Sequence, residues 1–170
     1  MTYLLTFICY GTHLPGDERG WVERTRGPYR GGFHEPSENL GRYAYGLLES
    51  PPYQLDQPRA SVVLDAIREV CRFRGWDLFA AHVLTTHVHI VADRLPDPKR
   101  ALVDFKSYSS RSLSGRGFER PDCKRWARGG NTRHLPTLEA IFATVRYVAN
   151  DQGPPMAIYV MDRWAFPSSK

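Results

Sequence analysis

The run His87-Val88-His89-Ile90-Val91-Ala92-Asp93 constrains the fold more than any other segment. Side chains on a strand alternate between faces, so Val88, Ile90 and Ala92 form one wholly apolar face. His87, His89 and Val91 form the other. Asp77–Leu84 reads as a second strand, and Thr85-Thr86 is a connection short enough for a hairpin. A hairpin is marginal alone, and its apolar face requires a layer of helices.

The neighbouring segments supply that layer. Val63, Ala66, Ile67, Val70 and Cys71 recur at helical spacing within Arg59–Arg74, and Gly75 stands at the expected C-terminal cap. After the hairpin, Asp97 can cap a helix whose first position is Pro98. That helix is expected to run to about Leu113 and to end at Gly115. Leu138–Asp151 is a further helix, closed by Gly153-Pro154-Pro155, and Met156–Val160 reads as a short last strand. Thr2–Tyr10 is a first strand. The order predicts an α+β fold with a ferredoxin-like split βαβ antiparallel sheet, helices on one face and an extra C-terminal helix bearing Tyr147. The fourth strand is expected from Arg125–Leu135 or from Met156–Val160.

A chain of 170 residues suits one compact domain, taken here as 1–170. A long insertion rich in Gly, Pro, Arg and aromatic residues interrupts it at about 12–58. A stretch of that length is expected to be functional or to hold small elements of its own. The apolar N-terminus has no basic leader, so it reads as a strand and not a signal peptide. No apolar run approaches the roughly 20 residues of a membrane span. Three widely spaced cysteines argue against a disulfide framework and for a reducing, cytoplasmic setting. A net charge of +5 is compatible with a polyanionic partner.

The histidines carry the chemistry. Two imidazoles two residues apart on a strand lie roughly 6–7 Å apart. They either chelate a cation with help from elsewhere or sit as ordinary hydrogen-bonded strand residues. His82 leads into the same hairpin and is assigned nothing beyond a DNA contact. On the last helix, Leu138, Ile141, Phe142, Val145, Val148 and Ala149 form an apolar stripe. Tyr147 and Asp151 share the other side. If this helix packs beside the histidine face, a phenol meets an imidazole pair. A metal, two histidines, a carboxylate or amide and a phenol make a phosphoryl-transfer site in which the phenol oxygen attacks phosphorus. Tyr108 is the competing nucleophile, but its helix is expected on the opposite face. Lys106 and Arg111 on that helix are suited to phosphate contacts.

These residues resemble the HUH-type single-tyrosine DNA transposases, including the REP-associated tyrosine transposases and the smallest insertion-sequence transposases. The resemblance rests on Thr86-His87-Val88-His89-Ile90-Val91, the helix with Lys106 and Arg111, the stretch Trp126–Arg133, and Arg146-Tyr147-Val148. The segment Tyr10–Trp21 is similar to one branch of the family. Only Val22–Pro58 falls outside the resemblance. Two features depart from the family pattern: Thr85 and Thr86 replace its usual small polar residue and asparagine, and the insertion has no counterpart.

The resemblance implies a transposase-like enzyme that cleaves and rejoins single-stranded, hairpin-containing DNA. His87 and His89 would be metal ligands and Tyr147 the nucleophile, forming a 5′-phosphotyrosine and releasing a 3′-hydroxyl. The ion would be a divalent metal, Mg2+ or Mn2+ as is usual in the family, although imidazole ligands also suit zinc or nickel. The family's third ligand lies about one turn after the tyrosine, at Asp151 or Gln152. An ideal helix turns Gln152 back toward the core and favours Asp151; a helix that loosens near Gly153 reverses the choice. DNA contacts are expected from Lys106 and Arg111 on their helix and from Arg128 and Arg133, with hairpin recognition coming from basic loops such as Arg19–Arg30 and Arg116–Arg133. The stretch after the tyrosine helix is expected to be too short for a second DNA-reading domain. The family contains both monomers and homodimers. Two alternatives are a non-catalytic nucleic-acid-binding domain on the same sheet and a metal-dependent phosphoesterase.

Overall fold

The computed structural model describes residues 1–22, 32–154 and 156–164. Most of the basic loop Arg19–Arg30, from residue 23 on, therefore lies outside the described residues.

Strands β1 (Tyr3–Ile8), β4 (Asp77–Val83) and β5 (His87–Asp93) form the centre of a five-stranded sheet. Both stretches expected to supply a fourth strand contribute one: β6 (Asn131–His134) and β7 (Ala157–Val160). The spatial order is β6-β1-β5-β4-β7, with every neighbouring pair antiparallel. Without β7 this is the split βαβ order, since β5 lies between β1 and β4, and β1 between β5 and β6.

Helices α2 (Gln57–Arg74) and α3 (Pro98–Gly115) begin where local chemistry dictates. The Asp56 and Asp97 carboxylates accept hydrogen bonds from the first-turn amides, and a proline stands in each first turn. Gly75 ends α2 at φ 69°, a left-handed conformation that costs glycine little. The two helices cover the face made by Leu5, Phe7, Val88, Ile90 and Ala92, as the alternation of β5 requires.

Helix α4 (Leu138–Asn150) covers the other face. Its Ile141, Val145 and Val148 pack on Leu4, Phe79, Ala80 and Val91. Leu138 and Phe142 belong to the expected stripe, yet both are exposed. The buried strip is narrower than that stripe, and Phe142 lies at its edge against Trp164, with ring centroids 4.4 Å apart. The helices thus lie on both faces: α2 and α3 on one, the extra helix on the histidine face.

The insertion holds small elements. Two-residue strands β2 (Trp21–Val22) and β3 (Phe33–His34) pair with each other. Helix α1 (Glu38–Gly46) follows, capped by the Ser37 hydroxyl. No helix among the described residues is long and apolar enough to cross a membrane. Cys9, Cys71 and Cys123 are all free.

Candidate active site on the sheet face beneath the last helix

His87 and His89 project from β5 toward the same side, with ring centroids 5.0 Å apart and nearly perpendicular planes. A threonine hydroxyl holds one nitrogen of each ring. Thr6 Oγ1, directly across the β1–β5 ladder, lies 2.9 Å from His89 Nδ1. Thr86 Oγ1 lies 3.2 Å from His87 Nδ1. Hydrogen bonds to one nitrogen orient the ring and leave the other for a ligand role.

Helix α4 brings Tyr147 to this pair. Thr137 caps the helix, its hydroxyl accepting from the Ala140 amide at 3.2 Å. Burial of Ile141, Val145 and Val148 then fixes the rotation of the helix over the sheet. Tyr147 falls at the edge of that buried strip, 44 % exposed, with its ring centroid 6.2 Å from that of His89. The Tyr147 ring is thus both exposed and beside the His89 imidazole.

Regular helix stops at Asn150, and Asp151 serves as C-cap at φ −107°. Its amide donates to the Tyr147 carbonyl at 3.0 Å, and its side chain faces solvent. The chain therefore leaves the 100° progression before residue 152. It is Gln152 whose side chain comes close enough to the His89 ring to favour its protonated form. Its amide nitrogen also lies 3.5 Å from the Tyr147 carbonyl. The sequence preference for Asp151 assumed one more residue of ideal helix than forms.

Burial pushes the His89 imidazole down to about 4, and the neighbouring His87 and His82 add to the shift, partly opposed by the nearby Gln152 side chain. Burial also lowers His87, helped by His13, His82 and Arg19. Both rings are consequently neutral near pH 7, the form that coordinates a metal. Among the described residues no three His, Cys, Asp or Glu side chains gather into a metal-binding group. Two imidazoles and an amide do come together, and they suit a divalent cation only with further oxygen ligands from elsewhere.

His82 sits beside His89 in the β4–β5 register and is fully buried. It cannot meet DNA. Its Nδ1 lies 2.9 Å from the Val148 carbonyl oxygen, within the helix that carries Tyr147.

The basic residues divide. Arg133 lies on the histidine side of β6 and donates to Thr144 of α4 at 3.1 Å while remaining exposed. Arg128 is exposed in the loop before β6. Lys106 and Arg111 belong to α3, on the opposite face. The Lys106 ammonium donates to the Ala127 carbonyl at 2.8 Å and also to that of Gly129. Arg111 lies over the Tyr108 ring at 4.3 Å. Tyr108 packs at the margin of the α2–α3 core, away from the histidines.

One part of the site is not among the residues expected from the sequence. The loop after β1 sets His13 and Arg19 near enough to His87 to disfavour its charging. The Arg19 guanidinium donates two hydrogen bonds to Asp17, at 3.0 and 3.2 Å, its backbone amide donates a third at 3.0 Å, and its Nη2 lies 3.5 Å from His13 Nδ1. The available signal was the segment Tyr10–Trp21, which names a stretch but not these side chains.

No known sequence family and no curated protein matches the chain. Among solved structures, it is similar in fold to a REP-associated tyrosine transposase bound to a REP hairpin. The two share 13 % identity at a TM-score of 0.51. The match covers 88 % of this chain but 65 % of that one, so this chain spans about two thirds of the solved protein. At this identity the likeness establishes the fold.

Proposed function

We propose that the chain is a transposase-like enzyme that binds single-stranded, hairpin-containing DNA in the cytoplasm and cleaves and rejoins it through Tyr147. The observation that carries this reading is the Tyr147 ring beside His89, 6.2 Å between centroids, on the face that also holds His87. The fold shared with a transposase bound to a hairpin supports the choice of substrate.

His87, His89 and Gln152 would hold a divalent cation, Mg2+ or Mn2+. When bound, such an ion polarises a phosphodiester and stabilises the charge that develops on it. The chain's own residues do the rest. The Tyr147 oxygen attacks phosphorus, the bond to the 3′-oxygen breaks, and a 5′-phosphotyrosine forms with a free 3′-hydroxyl. The phenol proton leaves to solvent, which its exposure permits, and the departing 3′-oxygen takes a proton from solvent. A second 3′-hydroxyl reverses the step and frees the tyrosine. Arg128 and Arg133 neutralise the DNA backbone.

Labelled hairpin DNA incubated with the protein and Mn2+ tests this. A covalent adduct that disappears in Tyr147→Phe supports it. An adduct that survives there but vanishes in Tyr108→Phe overturns the nucleophile.

A second reading is a non-catalytic binding domain on the same sheet. Tight hairpin binding without any adduct, with or without Mn2+, would establish that reading instead.

A further inference from the structure

We infer that His82 is a positioning residue that locks the tyrosine-bearing end of α4 onto the sheet. The inference rests on the assignment of Tyr147 as nucleophile. Val148 follows Tyr147 directly, and its carbonyl is among the last four of α4, which a helix leaves without partners of its own. His82 Nδ1 stands 2.9 Å from that carbonyl in a fully buried setting. A carbonyl only accepts, so Nδ1 must carry the ring proton. Nε2 is then the bare nitrogen, and it has no hydrogen-bond partner among the described residues.

The placement gives this bond its consequence. His82 is opposite His89 in the β4–β5 ladder. One side of the ladder therefore orients an imidazole toward the site, while the other grips the helix turn that carries the phenol. Gln152, which reaches His89, lies four residues beyond the gripped carbonyl. The apolar contacts of Val145 and Val148 are non-directional and would tolerate a small slide of α4. The buried hydrogen bond would not, because sliding strands both of its partners.

Three proteins test this: wild type, His82→Leu and His82→Asn. The Asn amide can place a donor near the position of Nδ1, whereas Leu cannot. Each carries 3-fluorotyrosine at position 147, and its 19F resonance is read without DNA. Adduct formation and hairpin affinity are measured on the same variants without the label. His82→Leu should shift or split the 19F resonance and slow adduct formation by at least about tenfold with hairpin affinity unchanged. His82→Asn should recover most of both. A 19F resonance unmoved in His82→Leu, or an Asn variant no better than Leu, overturns the proposal. Should the variants fail to fold, long-range 1H–15N spectra of the wild type decide: a proton on His82 Nδ1 supports the lock, and one on Nε2 refutes it. If wild type forms no adduct, the assignment of Tyr147 falls, while the 19F and tautomer results still judge the lock separately.

Discussion

Thr6 and His89 stand directly opposite each other on β1 and β5, with the Thr6 hydroxyl 2.9 Å from His89 Nδ1. This contact joins the central strand of the sheet to its neighbour β1, so the fold itself sets the orientation of one proposed ligand. Thr6→Val keeps the shape of the side chain and removes the hydroxyl. It should lower Mn2+ affinity and the rate of adduct formation by about 10–100-fold, the usual effect of losing a partner of a ligating histidine. Calorimetric titration with Mn2+ and the adduct assay check this. Unchanged affinity and rate would mean that the threonine does not orient the ring.

Gln152 and Asp151 offer a sharper discrimination. The Gln152 side chain lies near the His89 ring, whereas Asp151 caps the helix through its backbone and turns its carboxylate to solvent. Gln152→Ala should reduce adduct formation at limiting Mn2+ by about tenfold or more. Asp151→Ala should leave it close to wild type. The opposite ranking would restore the carboxylate as the third ligand.

The difference between these two residues marks where sequence reading stops. The period-2 pattern of His87–Asp93 located the histidine face, because alternation on a strand is rigid. The helical spacing of α2, with Asp56 and Gly75 at its ends, placed the other face, because apolar periodicity and caps are local signals. The end of α4 depends instead on one residue of fraying, which shifts a side chain by 100° and is invisible to periodicity. His82 was opaque for another reason. A histidine on a strand reads the same whether it faces solvent or the carbonyl of a helix far along the chain. Helix α1 and the β2–β3 pair lie in an insertion whose Gly and Pro residues mask short elements.

Lys106 and Arg133 should respond differently to removal. The Lys106 ammonium is engaged by the carbonyls of Ala127 and Gly129, so it braces the loop leading into β6. Lys106→Met should lower stability by about 1–2 kcal/mol, read by urea unfolding. It should leave the salt dependence of hairpin binding unaltered. Arg133 is exposed on the histidine side of the sheet. Arg133→Ala should weaken binding to all hairpins alike and reduce the slope of log K against log salt by about 1. A slope lowered by Lys106→Met, or unaltered by Arg133→Ala, would reverse the two roles.

The histidine face should also make the metal-free protein sensitive to mild acid. Burial, with the neighbouring His87 and His82, sets His89 at about 4 in the folded chain against an ordinary value of 6.5. The unfolded chain therefore binds a proton first as pH falls. The stability that His89 contributes is complete above about 6.5 and drains away as pH falls toward 4. Between pH 7 and pH 5 this one group accounts for a loss of about 2 kcal/mol. His87 is displaced in the same direction and adds to it. Carboxylates held low, such as Asp17 and Asp93, lose their stabilisation at lower pH, so pH 5 separates the two classes. Urea unfolding in EDTA at pH 7 and pH 5 should show the loss in wild type and a smaller one in His89→Gln, which cannot charge. Equal losses in the two proteins would mean that His89 titrates as it does in the unfolded chain.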